Sequence, residues 1–315
     1  MKGYTTPFRL GLIGAGRMGR THMSAIAASD RVSITAIAEP VEAARLALSQ
    51  AGQTVFPTVE DMLAQGDIDG VLIASPSPFH ADIVERVAAA GLPILCEKPC
   101  GITSADAQRA ASAAKRHGVL LQIAYWRRFS PKLQALRQRI AGGEFGEINF
   151  AACYQWDERP PATAFRTSSG GIFIDCGVHE FDQLRWLTGQ DITSMRVVAG
   201  GVETAPHVPG DPESAQVLCE MSGGTVGLVS LGRSFPLGDI CRAEIFGTKA
   251  VDDCRFLWPP HGDAAFHEAL RLQAEAFSDA VQGKPNDGAT ADDAVAALKA
   301  AEQATALNKQ AEERA

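Results

Sequence analysis

From Phe8 to about Tyr125, short runs of Val, Ile, Leu and Ala alternate with alanine-rich stretches whose apolar residues recur at helical spacing. That alternation predicts repeated βαβ units building a parallel sheet. The runs at 8–13, 33–38, 55–56, 70–74, 93–96 and 119–123 are expected strands, and 18–28, 41–51, 80–90 and 104–117 expected helices. The strand runs are apolar on both faces, as a sheet covered by helices on each side requires.

After a further expected helix at 131–141 the rhythm changes. The segments 147–156, 192–199, 213–221, 225–231 and 239–246 are longer and alternate, and Ser222-Gly223-Gly224 marks a tight turn between two of them. This pattern predicts a large, mainly antiparallel open sheet with one face solvated or covered by a partner. Helices are expected again at 264–282 and 289–313. The fold class is therefore α/β: an N-terminal Rossmann domain with a doubly wound parallel sheet, then a C-terminal α+β domain. A length of 315 residues suits two cores better than one. The boundary is placed near residue 125, giving a dinucleotide-binding domain over 1–125 and a substrate-binding and oligomerisation domain over 126–315. The late helices can pack back on the first domain.

Composition narrows the functional classes. At 46% hydrophobic and 21% charged the chain reads as globular, and its formal net charge of −8 argues against a nucleic-acid binder, whose affinity rests on clustered cations. The seven cysteines form neither a paired framework nor a CxxC zinc spacing, so they are read as reduced thiols of a cytoplasmic protein. The first residues lack a signal-peptide pattern, and no apolar run reaches the length of a membrane span. No membrane association is expected.

The strongest local motif is Gly14-Ala15-Gly16-Arg17-Met18-Gly19, which follows the first strand and opens a helix. Gly14 permits the tight turn, Gly16 a close backbone approach to a pyrophosphate, and Gly19 close helix packing. The helix-start N–H groups of the Arg17-Met18 turn receive the negative charge. Glu39, 20 residues beyond Gly19, ends the second strand where a carboxylate accepts hydrogen bonds from the adenosine ribose. Its charge repels a 2′-phosphate and Pro40 supplies no cationic partner, so NAD is expected in preference to NADP, although Arg17 can also meet phosphate.

Three further segments resemble the glucose-fructose oxidoreductase and inositol dehydrogenase family, in its inositol 2-dehydrogenase-like branch. They are Glu97-Lys98-Pro99 after the fifth strand, Gly170 to Asp182 with an Asp and a His four residues apart, and Arg127-Arg128-Phe129-Ser130-Pro131. The loop Ser75-Pro76-Ser77-Pro78-Phe79-His80 is similar to the one that passes near the nicotinamide in that family. The resemblance implies cofactor contacts from Ser75, Pro76, His80, Glu97 and Lys98, and catalytic roles for Lys98, Asp175 and His179. It also implies a homodimer or homotetramer.

The residue chemistry agrees with those roles. Alcohol oxidation needs a base of near-neutral pKa, which His179 offers, and Asp175 sits four residues earlier, where a helix would place both on one face. Lys98, at the C-terminal edge of the parallel sheet, can stabilise alkoxide character or hold a substrate oxygen. Arg127, Tyr154, Trp156, Asp157 and Arg166, with Lys98, Asp175 and His179, are candidate substrate contacts. No metal is expected, because adjacent Asp175 and Cys176 point apart and no second ligand cluster completes a tetrahedral set. The expected function is hydride transfer between a secondary alcohol of a cyclic polyol or sugar, inositol first, and a nicotinamide. The alternative is a catalytically silent dinucleotide-binding sugar sensor or regulator.

Overall fold

The computed structural model describes residues 7–202, 206 and 208–314. The first stretch of chain contains β1 (Phe8–Ile13), α1 (Arg17–Ile26), β2 (Val32–Ala38), α2 (Glu42–Gln50), β3 (Val55–Phe56), α3 (Val59–Gln65), β4 (Gly70–Ile73), α4 (His80–Ala89), β5 (Ile94–Cys96), α5 (Ser104–His117) and β6 (Leu121–Ile123). There follow α6 (Pro131–Ala141), β7 (Ile148–Trp156), α7 (Thr163–Ser168), α8 (Val178–Thr188), β8 (Ile192–Gly200), β9 (Ser214–Met221), β10 (Val226–Gly232), β11 (Ile240–Gly247), β12 (Val251–Leu257), α9 (Gly262–Val281), β13 (Ala289–Thr290) and α10 (Ala291–Glu312).

The chain forms two compact units, but not with a single boundary near residue 125. Unit 1 is Met1–Gly101, Ala105–Phe129 and His267–Val295, and unit 2 is Ile102–Ser104, Ser130–Phe266 and Ala296–Ala315. Most of α9, all of β13 and the start of α10 thus complete the first unit. The physical reason is visible in the packing: Phe277 and Ala274 of α9 are buried in the same apolar cluster as Phe8, Leu10, Leu12, Ile37, Leu72 and Leu95. Phe277 meets Phe8 edge-on, with ring centroids 6.1 Å apart.

Sheet A of unit 1 has the order β13-β6-β5-β4-β1-β2-β3. Its strands are parallel except β13, which pairs antiparallel with β6 at the edge. The strand order reverses between β1 and β4, the place where doubly wound sheets open a crevice at their carboxyl ends.

Sheet B of unit 2 has the order β12-β11-β7-β10-β9-β8. It is mixed, because β7 and β10 run parallel while the other neighbours are antiparallel. Side chains alternate between its faces. Ala151, Cys153, Val217, Cys219, Val229, Ala243 and Ile245 are buried on one face. That face is covered by α8, whose Gln183 amide donates to Cys153 Sγ (3.3 Å). The other face carries exposed apolar residues, including Val198 at 75% and Val226, Phe246 and Val251.

Several elements were absent from the sequence reading, among them α3, α7, β12 and β13. Helix α3 is short and is stopped from fraying by its N-cap, Thr58, whose hydroxyl accepts from Asp61 N at 3.0 Å. Strand β12 carries Asp252, Asp253 and Arg255, so it lacks the apolar face that marks a strand, and pairing with β11 defines it. Among the described residues no helix is long and apolar enough to cross a membrane.

Candidate active site

The glycine turn of unit 1 shows why three glycines stand there. Gly14 has φ +88°, and a Cβ on it would meet the Ser75 backbone at 2.9 Å. A Cβ on Gly19 would overlap the Gly14 carbonyl oxygen, so that glycine lets α1 pack against the turn. Gly16 differs: a Cβ there would meet nothing within 4 Å. This open cradle lies at the N-terminus of α1, which has no side-chain cap and no acidic residue in its first turn. Unshared N–H groups and the positive end of the helix dipole are left for an anion. These residues fit a dinucleotide pyrophosphate. Arg17 is exposed and Met18 half-buried at the same helix start.

Glu39 is buried and its carboxylate accepts from two backbone amides, Ala15 N at 2.8 Å and Val41 N at 2.9 Å. A carboxylate offers about four acceptor positions, so ribose hydroxyls can add to these contacts. The cation that Pro40 does not supply is present two turns away: Arg45 donates through its guanidinium to the carbonyls of Glu39 (3.0 Å) and Pro40 (2.7 Å).

At the ends of β4 and β5, His80 ties two loops together. Its Nδ1 lies 2.7 Å from Pro99 O and its Nε2 2.7 Å from Ser75 O. Burial pushes the His80 pKa down, while the two carbonyl acceptors and the nearby Glu97 work to raise it. Ser75 Oγ is buried without a hydrogen-bond partner among the described residues, and Pro76 beside it is exposed. Glu97 receives His22 Nε2 at 2.7 Å and the backbone N–H of Lys98 at 3.1 Å. Burial works to raise the Glu97 pKa, but the His22 hydrogen bond and the nearby Lys98 and His80 charges outweigh it, and the net direction is down. Lys98 itself is half-buried. His22 escaped the sequence reading; the signal was its place with Gly19, Ala25 and Ile26 on the inward face of α1.

In unit 2, Asp175 and His179 lie on successive turns, but the first is not α-helical. Phe173–Gly177 forms a π-helical turn that runs directly into α8. Such turns re-aim side chains and recur at functional sites. His179 is buried and Asp175 half-buried. Asp175 Oδ2 accepts from Arg233 NH1 at 2.9 Å, and the same nitrogen lies 3.5 Å from Asp157 Oδ2 and 3.4 Å from Cys176 Sγ. The other arm of Arg233 donates to Asp211 Oδ1 at 3.0 Å. Asp211 is also held by Arg166, through Nε to its carboxylate and NH2 to its carbonyl oxygen (2.8 Å), and Arg166 reaches Glu213 at 3.1 Å. Burial pushes the Asp157 pKa up, helped by the Asp175 and Asp239 charges and opposed by Gln155 and Arg233.

The candidate substrate contacts therefore separate. Asp157 and Asp175 come together. Arg166 is buried as a support beneath them, engaged with Asp211 and Glu213. Tyr154 and Trp156 lie on the opposite face of sheet B, because alternation along β7 sends them away from Cys153 and Gln155. There Tyr154 OH donates to Glu244 (2.7 Å) beneath the Arg242 guanidinium, and Trp156 donates to Ser230 Oγ (3.0 Å) and packs over Gly232. Arg127 belongs to unit 1, buried with its guanidinium 5.8 Å from the Trp126 ring centroid. Arg233, Asp211 and Glu213 were missed in the sequence; an arginine directly after the apolar strand β10 was the available signal. Among the described residues no group of three or more His, Cys, Asp or Glu is placed to hold a metal ion.

Comparison with known proteins agrees with both units. Residues 8–125 match the oxidoreductase family described by its NAD-binding Rossmann fold, and residues 133–251 match the GFO/IDH/MocA C-terminal domain. The chain is 54% identical over 302 residues to the rhizopine catabolism protein MocA of Rhizobium meliloti, covering 96% of this chain and 95% of that protein. It is 30% identical over 314 residues to inositol 2-dehydrogenase of Rhizobium meliloti strain 1021, covering 94% and 95%. Among solved structures it is similar to scyllo-inositol dehydrogenase from Lactobacillus casei with bound NAD(H) and scyllo-inositol. That likeness has a TM-score of 0.84 at 26% identity, with 96% of this chain and 97% of that one covered.

Proposed function

The chain belongs to the GFO/IDH/MocA oxidoreductase family and is an NAD-binding oxidoreductase of the inositol/MocA dehydrogenase type, and from that premise we propose that it oxidises a secondary alcohol of a cyclic polyol. Inositol is the first candidate and a sugar the second. The observation that carries the substrate class is the pair of half-buried carboxylates, Asp157 and Asp175, held on one guanidinium nitrogen. Paired acceptors suit adjacent hydroxyls, each of which brings a donor.

When bound, NAD supplies the acceptor for the hydride that leaves the carbinol carbon. His179 takes the hydroxyl proton as that C–H bond breaks, and the carbonyl forms. Asp175 accepts from a substrate hydroxyl, and Lys98 stabilises negative charge on the reacting oxygen. The glycine turn and the α1 N-terminus bind the pyrophosphate, Glu39 the adenosine ribose, and Ser75, Pro76 and His80 shape the nicotinamide end. Glu39 supports a preference for NAD over NADP.

The exposed apolar row on sheet B supports a homodimer or homotetramer, and the seven cysteines, all free thiols and six of them buried, support a cytoplasmic setting. The decisive experiment follows reduced-nicotinamide absorbance with NAD or NADP and a panel of myo-inositol, scyllo-inositol, aldoses and uronic acids. NAD reduction by an inositol is expected. Dinucleotide binding without turnover of any polyol or sugar would instead favour the silent sensor.

A further inference from the structure

Arg233 is 0% exposed and sits where the chain leaves β10. Its backbone N–H donates to Glu213 O at 2.8 Å, which fixes its own position against the start of β9. Its guanidinium then meets carboxylates from three separate parts of unit 2: Asp157 after β7, Asp175 in the π-helical turn, and Asp211 before β9. Arg166 clamps Asp211 from the other side. Taking a guanidinium this far from water is costly, and well-packed apolar residues would hold the core at least as firmly. Arg233 Nε is moreover buried without a hydrogen-bond partner among the described residues. A group kept at that cost for packing alone is poorly explained. A group that must hold one carboxylate in one orientation is well explained, since the planar fork of arginine fixes its partners as a point charge does not.

We infer that Arg233 is a positioning residue of the site: its fork, braced by Asp211 and Arg166, sets the orientation of the Asp175 carboxylate toward substrate. The inference rests on the proposed polyol chemistry for its kinetic readout but concerns a residue to which that reading gives no role. Arg233 does not touch substrate in this account. Its effect passes through Asp175, and that gives a signature that simple structural support would not produce.

The test compares Arg233→Lys, Asp175→Asn and the double variant, with myo-inositol or scyllo-inositol as substrate. Lysine keeps the charge and loses the fork. Arg233→Lys is expected to lower kcat/KM for the polyol about 30-fold or more while affinity for NADH, read by fluorescence, stays within about twofold. The double variant is expected to be no worse than Asp175→Asn alone, because the second change removes what the first acts through. Losses that multiply, or an Arg233→Lys protein within about threefold of wild type, would overturn the inference.

If Arg233→Lys does not fold, Asp211→Asn takes its place. It loosens the brace while leaving Arg233 and Asp175 intact, and its loss of turnover should likewise vanish in the Asp175→Asn background. If the wild type turns over no polyol, the functional reading fails separately, and backbone amide exchange over residues 173–177 decides the inference. Faster exchange in Arg233→Lys, not increased further by adding Asp175→Asn, is expected; unchanged exchange would overturn it.

Discussion

At the scale of single residues, the glycines of the dinucleotide turn have separable duties. Gly16 has φ −68° and open space at its Cβ position, so Gly16→Ala should fold with an unchanged unfolding midpoint yet bind NADH about tenfold or more weakly. Gly19→Ala should do the reverse, costing about 2–3 kcal/mol of stability by overpacking against the Gly14 carbonyl, as denaturant unfolding would show. Glu39 with Arg45 makes a selectivity prediction. Glu39→Ser removes the carboxylate and leaves the Arg45 guanidinium beside the ribose position, so the ratio of NADP to NAD turnover should rise about tenfold or more. Two acids should shape pH stability with opposite signs. Glu97, its pKa depressed in the fold, contributes stability that is present above its unfolded pKa and lost as pH falls through the folded one. Asp157, its pKa raised, contributes stability that is present below its unfolded pKa and lost as pH rises through the folded one. Asp157→Asn should therefore melt higher than wild type at mildly alkaline pH, and the gap should close in acid; a gap of the opposite sign would place Asp157 as a net stabilising carboxylate.

At the scale of elements, periodicity and glycine punctuation carried most of the reading. Strand β1 and helix α5 fall where the pattern put them, and most other elements agree within a residue or two, because each has an apolar face that one core demands. The failures share a cause. Strand β12 interrupts its apolar residues with Asp252, Asp253 and Arg255, and α3 is only about two turns long, so neither has a clear periodic signal, and both are defined by neighbours. The π-helical turn was equally hidden. Asp175 and His179 were legible as a pair four residues apart, but the widened turn between them is a matter of backbone hydrogen bonding. Alternation along β7 also settles a point about Tyr154. Since it faces the open side of sheet B, Tyr154→Phe should cost about 1 kcal/mol through the lost Glu244 hydrogen bond and leave kcat/KM for the polyol within about twofold. A large loss of turnover would return it to the substrate site.

At the scale of the whole molecule, sheet B leaves Val198, Leu218, Val226, Phe246 and Val251 exposed on one face. An apolar row of that kind is stable in water when a partner covers it. Light scattering should report at least twice the chain mass, and Phe246→Glu should shift the population toward monomer. The sequence by itself determined the two classes of sheet, the glycine turn with Glu39, and the family, since these depend on short-range pattern and on motifs whose order along the chain is distinctive. Only the tertiary structure decided that α9 and β13 complete the first unit, that Tyr154 and Trp156 turn away from Asp157, and that Arg233 gathers Asp157, Asp175 and Asp211. The reason is separation along the chain. Periodicity reports which side of an element is buried, whereas the sequence around residue 233 can mark an arginine at a strand end but does not say that its partner is residue 175.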